Sequence, residues 1–279
     1  MAKRGNTVHH RKGAPPPIGM CKLTGEVGPF VDAHILPKAL TRPSRSGAPL
    51  YQKQSGRRPV KRWTSWYDRA IVTAEDEGIL AGYDNWAIKE LRRHELVWSG
   101  WGSMTSLPLD RFDPIPGSPW GIRKIADIDA NKLRLFFLSV IWRAAASTLP
   151  EFEEVELPPE KLELLREMVK RGVATPVDFL PISLTQLSTK GIIHNLGIIR
   201  QTKILPGLPG LPAQNVPYFR IYIDGLIAHV AIDGYSVDHV NDLGPFMVGL
   251  TDEVIVSTVT FENSFEFENI SNIERQTLK

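Results

Sequence analysis

The segment "CKLTGEVGPFVDAHILPKAL", residues 21–40, brings together the chain's single cysteine, Cys21, and one of its seven histidines, His34. Either could do chemistry. An imidazole with an ordinary pKa near ~6.5 can take a proton from water at neutral pH, which makes His34 a candidate general base. The plainer alternative is a histidine that fills a satisfied core position before a proline turn. A lone cysteine excludes internal disulfides and a four-cysteine zinc site. Another run of donors, "HVAIDGYSVDH", carries His229, Asp233, Asp238 and His239, but Asp233-Gly234 reads first as turn chemistry. The sequence has no Gly-rich phosphate loop and no Gly-x-Ser-x-Gly nucleophile motif.

The net charge of +2 conceals a division. Residues 1–62 hold thirteen Lys/Arg against Glu26 and Asp32, a balance of +11; the rest holds 20 basic and 29 acidic residues, a balance of −9. A self-repelling basic half favours a polyanion, and phosphate backbones are the usual one. The stretch "RRPVKRWTSWY" (57–67) adds Trp63, Trp66 and Tyr67 to Arg57, Arg58, Lys61 and Arg62, a composition that can grip phosphates and stack on bases. Its plainer reading is a surface loop whose tryptophans pack inward. The N-terminus lacks the apolar core of a signal peptide, and no apolar run is long enough for a membrane span. The expectation is a cytoplasmic protein with no membrane partner.

The elements that must position these residues fall into two units. Residues 1–17 lack periodicity and read as a disordered basic arm, which includes His9 and His10. Residues 18–97 form the basic unit, with helical spacing at Ile88, Leu91 and Glu95 in its last third. Residues 98–125, rich in Gly, Pro and Trp, read as a linker that packs. An α+β unit is expected over 126–270, with a polar tail over 271–279. It opens with Asp127 or Asp129 as the N-cap of "ANKLRLFFLSVIWRAAAS", whose Leu133, Phe136, Phe137, Val140, Ile141 and Ala144 make a wide apolar face. Arg143 on this core helix is expected to pair with an acid at the junction between the units. "LPPEKLELLREMVKRG" gives a second helix with Pro at its start and Gly at its end. Strands follow: Asp224-Gly225 marks a hairpin, and "EVIVSTVTFENSFEFE" reads as one or two more.

The ordered set "C-x-x-T … AHILPK … WYDRAIVTAEDE" resembles the zinc-stapled HNH, or ββα-metal, nuclease family. It is similar to a bacterial branch that carries His-Ile-Ile-Pro-Lys and a later Ser-x-Leu-Trp-Arg-Ala helix, here "SVIWRAAA" at 139–146. The resemblance spans about residues 20–170. It implies an N-terminal HNH-like ββα-metal domain; with the helical segment and the antiparallel β-sheet domain read from the later pattern, the expected fold class is α+β. It places Cys21 and Thr24 at the first zinc knuckle, Thr73 and Asp76 at the second, Asp68 at the motif's Asn and Glu77 at its final His. Three knuckle cysteines are thereby replaced, so structural zinc is not expected and Cys21 becomes a small buried residue.

The same resemblance implies His34 as the catalytic base, with one Mg²⁺ or Mn²⁺ held by Asp68 and Glu77 and joined by Asp84. Asn85 and His94 offer a rival spacing for the last two motif positions. Nucleic-acid contacts are expected from Lys38, Arg42, Arg57, Arg58, Lys61, Arg62, Arg92 and Arg93. The implied activity is hydrolysis of DNA phosphodiesters, of the kind used in phage defence or by a mobile element. Two alternatives stand beside it: a catalytically degenerate HNH-like nucleic-acid-binding protein, and an interaction protein that docks a partner through its C-terminal sheet.

Overall fold

The computed structural model describes residues 15–41, 50–53, 60–62, 65–205 and 213–277; for 50–53, 60–62, Leu205 and 272–277 only the backbone is described. The arm up to residue 14, Arg42, Arg57, Arg58, Trp63 and the loop 206–212 lie outside the described residues, as do the side chains of Lys61 and Arg62.

Strands β1 (Ile18–Met20) and β2 (Val27–Pro29) pair antiparallel around a turn that holds Cys21–Thr24 and closes at Gly25, φ 85°. The short strand β3 (Ala33–His34) comes next, then the hairpin β4 (Leu50–Lys53) and β5 (Val60–Arg62). Strand β6 (Tyr67–Asp68) returns to pair antiparallel with β3, and α1 (Glu77–Arg93) follows. Two short strands and a helix thus frame the candidate residues.

Residues 98–125 are more than a linker. They supply β7 (Asp113–Pro114) and β8 (Trp120–Ile125), which form one edge of a seven-stranded sheet. Helices α2 (Ala130–Ala146) and α3 (Pro159–Arg171) come next. After them run β9 (Ile182–Leu187), β10 (His194–Leu196), β11 (Ile199–Leu205), β12 (Gln214–Ile223) and β13 (Leu226–Ala231). Helix α4 (Val237–Leu243), β14 (Val254–Val259) and α5 (Phe265–Thr277) complete the order. The large sheet runs β11-β12-β13-β9-β14-β8-β7. It is mixed rather than purely antiparallel, because β14 returns through α4 to lie parallel to β9. Strand β10 leaves this sheet to pair parallel with β4, which joins the basic hairpin to the C-terminal half.

Local signals explain several elements. Asp129 caps α2, its carboxylate accepting from the Lys132 N–H at 3.0 Å. Pro159 opens α3 and Gly172 ends it in the left-handed region, φ 68°. Asp224 and Gly225 both take positive φ between β12 and β13, the geometry of a type I′ hairpin. A side chain at Gly225 would also strike the Trp98 indole, 2.5 Å from its would-be Cβ. The "FENSFEFE" segment is helical instead of extended. Ser264 Oγ accepts from the Phe267 N–H at 3.4 Å, and Glu266 and Glu268 sit in the first turn of α5, which runs on through most of the expected polar tail.

One apolar core joins the two expected units. It runs from Leu23, Ile35 and Val72 through Leu80 and Leu91 of α1, across Phe136, Ile141 and Trp142 of α2, to Leu184, Phe219 and Val256 of the sheet. Thirteen residues of α2 are buried, including Arg134 and Arg143, so this helix is enclosed on all sides. Arg134, fully buried, donates to the carbonyls of Ala174, Pro176, Phe179 and Leu180, tying the loop before β9 to the helix. Among the described residues no helix is long and apolar enough to cross a membrane.

Candidate functional site

The four residues matched to zinc knuckles meet in space. Asp76, 8 % exposed at the start of α1, accepts at Oδ2 from Thr24 Oγ1 at 2.6 Å and from Thr73 Oγ1 at 2.9 Å. Burial pushes the Asp76 carboxyl up, but the nearby Cys21 thiol, the Thr24 and Thr73 hydroxyls and the charge of Lys170 together hold it below its ordinary value. Thr24 lies in the β1–β2 turn, and Thr73 bridges to Phe30 just before α1. A hydrogen-bonded staple therefore closes the two turns against each other.

The β3–β6 ladder decides which of the remaining candidates can meet. Its register pairs Ala33 with Asp68 and His34 with Tyr67. Successive side chains on a strand point to opposite faces, so Asp68 shares the face of buried Ala33 and His34 shares that of Tyr67. His34 and Asp68 therefore project away from each other. Asp68 is 4 % exposed, and both its oxygens are engaged. Oδ2 accepts from Ser147 Oγ at 2.6 Å and from the Thr148 N–H at 3.0 Å, and Oδ1 accepts from the Ala70 N–H at 2.9 Å. It fastens the ladder to the C-terminal end of α2.

His34 is half-buried, its ring tilted against Tyr67 with 6.2 Å between centroids. Burial, then the charges of Lys38 and Arg143, lower its pKa below the ordinary value and so favour the neutral imidazole. Arg69 lies over the other part of this face. Its guanidinium sits 5.1 Å from the Tyr67 ring centroid, and its Nε donates to Asp32 at 2.7 Å. Tyr67 shares one face with His34, the bend after β6 brings Arg69 over the Tyr67 ring, and Lys38 is exposed near enough for its charge to act on His34.

Helix α1 brings Glu77 and Asp84 to a common side, because seven residues are about two turns. Asp84 faces Arg143 of α2 in a bidentate ion pair, Nη2 to Oδ1 at 2.7 Å and Nη1 to Oδ2 at 2.9 Å. Arg143 Nη1 also donates to the His34 carbonyl at 2.9 Å, and its Nε donates to the Ser139 carbonyl at 3.2 Å. The expected acid partner of Arg143 is thus a residue read as a metal ligand. Glu77 Oε2 is buried without a hydrogen-bond partner. Burial drives the Glu77 carboxyl up to about 7; Arg143 opposes the rise and Asp84 adds to it.

The other candidates are occupied elsewhere. Asn85 and His94 stand about 13 Å apart along α1, with Asn85 exposed and His94 at the C-cap, too far to share an ion. Arg92 donates to the Ala39 carbonyl and Ser99 Oγ, and Arg93 to Glu90 and the Asp127 carbonyl, so both tie the end of α1 to its surroundings. Trp66 packs inward against Phe152. His239 Nδ1 bonds Ser236 Oγ, and Asp233 pairs with Lys161. His229 meets Tyr218 edge-on, and burial lowers its pKa to about 3.

A divalent ion does not fit these residues as they stand. Asp68 has spent both oxygens and faces away from His34, and Asp84 is neutralised by a guanidinium. Of the three, only Glu77 has a buried oxygen without a hydrogen-bond partner. Among the described residues no three His, Cys, Asp or Glu group together to hold a metal. Sequence reasoning missed Ser147, Thr148 and Arg69, whose partners Asp68 and Asp32 are set by long-range packing. No family model, no characterised protein and no solved structure matches this chain.

Proposed function

We propose that this protein binds nucleic acid through a degenerate HNH-like module and does not hydrolyse it. The observation that carries this reading is the Arg143–Asp84 pair: a protein cation stands among the oxygens that a hydrolytic metal would use, and Asp68 is committed to α2. The convergence of Cys21, Thr24, Thr73 and Asp76 supports an HNH-like ancestry, since four separated positions meet where a zinc staple would sit. The balance of +11 over residues 1–62 supports a phosphate backbone as the partner. Lys38, Arg69 and Tyr67 beside His34 add a cation-and-ring surface suited to it.

The test combines binding and cleavage. Fluorescence anisotropy of the full chain with duplex DNA should show affinity that falls steeply with salt, and reversal of Arg57, Arg58, Lys61 and Arg62 to Glu should weaken it. Plasmid incubated with Mg²⁺ or Mn²⁺ should stay intact. Binding indifferent to salt and to the charge reversal would refute the nucleic-acid reading. Cleavage abolished by both EDTA and His34→Ala would instead establish a working nuclease.

A further inference from the structure

The geometry points to a nucleotide-binding site on the β11–β12–β13 end of the large sheet, with Lys203, Tyr218, Tyr235, His229, Arg220 and Phe265 around it. The register sets the face. Phe219 and Ile221 of β12 lie in the core with α2, so Tyr218 and Arg220, at the alternate positions, point to the other side of the sheet. Lys203 follows two residues after Gln201, the cross-strand partner of Tyr218, and His229 stands directly opposite Arg220. Tyr235, in the loop after β13, and Phe265, the first residue of α5, come over the same face. The Lys203 ammonium lies 5.7 Å from the Tyr218 ring centroid and 5.4 Å from that of Tyr235, and the Arg220 guanidinium lies 4.2 Å from that of Phe265. Tyr218 meets His229 edge-on at 4.8 Å.

This face combines rings with unanswered positive charge. Among the described residues no carboxylate forms an ion pair with Lys203, whose ammonium rests on the two rings instead. Arg220 gives Nη2 to Glu266 and keeps a buried Nε without an acceptor. Burial, then the charges of Arg220 and Lys203, lower the His229 pKa to about 3, so a neutral imidazole sits in a positive field. Lys203, Tyr218, Tyr235 and His229 are each half-buried and Phe265 is exposed, so solvent reaches all five. A phosphate answers the charge, and a base answers the rings. An ammonium-to-ring contact at a half-buried site is weaker than a charge-assisted bond to phosphate, so Lys203 can turn to a phosphate and leave the tyrosine faces to the base. The site draws on none of residues 1–62, and it goes beyond the duplex-binding reading that rests on them.

The experiment follows the histidine ring signals of the full chain by NMR at pH 7, with His229→Gln to assign them and calorimetry for affinity. The probes are AMP, adenosine, inorganic phosphate and a short single strand of oligothymidylate. AMP and the strand should each move the His229 signals to saturation, and adenosine and phosphate should each bind about tenfold or more weakly than AMP. Lys203→Gln should weaken AMP binding by about tenfold without changing the melting temperature, and Lys203→Arg should keep most of it. Tyr235→Leu should weaken AMP and leave phosphate binding as it was. A strand bound more tightly than AMP identifies single-stranded nucleic acid as the source of the ligand, and equal affinities identify the free nucleotide; both outcomes support the site. His229 signals that stay in place with AMP and with the strand would overturn the inference, and that arm needs no folded variant. Phosphate bound as tightly as AMP, or an affinity indifferent to Lys203→Gln, would overturn it equally. Duplex binding sensitive to reversal of Arg57, Arg58, Lys61 and Arg62 can be absent while AMP binding persists, and the reverse, so the two readings fail separately.

Discussion

Replacing Glu77 by Gln should stabilise this protein at alkaline pH and change little at acid pH. The carboxyl has one buried oxygen with no partner, and burial lifts its pKa from 4.5 to about 7. A group whose pKa is raised by folding binds more protons in the native state than in the unfolded one. Its contribution is therefore complete below 4.5 and is lost as pH rises through about 7. At about 1.4 kcal/mol per pH unit, the rise corresponds to about 3 kcal/mol as an upper bound. Residual hydration of a partly buried side chain reduces it to the order of 1–2 kcal/mol. Glutamine has a similar shape and no charge to desolvate. Urea unfolding of both proteins at pH 5 and pH 8 gives the test, with the difference between them as the readout. His34 and His94 also titrate differently in the folded state, but they are common to both proteins and cancel. The glutamine variant should match wild type at pH 5 and exceed it by 1–2 kcal/mol at pH 8. A difference that does not change with pH would refute the reasoning, because Glu77 would then not be the group paying for its burial.

Two further predictions test other buried groups. Thr24→Cys, Thr73→Cys and Asp76→Cys together with Cys21 should create a tetrahedral thiolate site; Co²⁺ should give it the visible absorption of such a site and Zn²⁺ should raise its melting temperature, whereas a colourless Co²⁺ titration would show that the four positions do not converge. Glu266, fully buried, accepts from Arg220 Nη2 at 2.6 Å and lies 3.0 Å from His194 Nε2. Glu266→Ala should cost about 3–5 kcal/mol in urea unfolding because it strands a buried guanidinium, and adding Arg220→Met should recover much of the loss; an additive pair would sink the argument.

Signals confined to a few residues were legible in the sequence. Asp129 before an apolar-periodic run, Pro159 and Gly172 around a charged helix, and Asp224-Gly225 between two β-rich runs each act over one turn, and each element forms where its signal stands. Signals that depend on distant partners were not. Trp120–Ile125 reads as linker because its pairing with β14 spans more than a hundred residues. The alternating Phe and Glu of "FEFE" mimic a strand, and the Ser264 cap with its two first-turn acids outweighs that pattern. The site shows the same division. That Arg143 needs an acid follows from a charge on a core helix, but that the acid is Asp84 follows only from the packing of α1 on α2. That His34 and Asp68 face opposite ways follows from a register set across a 34-residue separation.

On the proposed HNH-like reading, the two places that would hold metal are solved in opposite senses, and charge explains why. At the knuckles the ligands themselves have changed. Thr24 and Thr73 bring hydroxyl protons where thiolates would bring lone pairs, so the centre must accept rather than donate, and the Asp76 carboxylate does so. In the other place the carboxylates remain. Asp84 and Glu77 still present oxygen, so the centre must be a cation, and Arg143 enters from α2 to provide one. A hydroxyl-lined centre filled by a cation would set protons against positive charge, and a carboxylate-lined centre filled by an acid would set two anions together. Each substitution is the one its surviving neighbours permit. The second has a structural consequence the first lacks: Arg143 and Ser147, one helical turn apart, bind Asp84 and Asp68 at once, so two residues matched to metal positions become a joint between the N-terminal unit and the core helix. On the proposed reading, recovering hydrolysis would require more than restoring a ligand, because it would also require undoing a contact that helps to hold the two halves of the chain together.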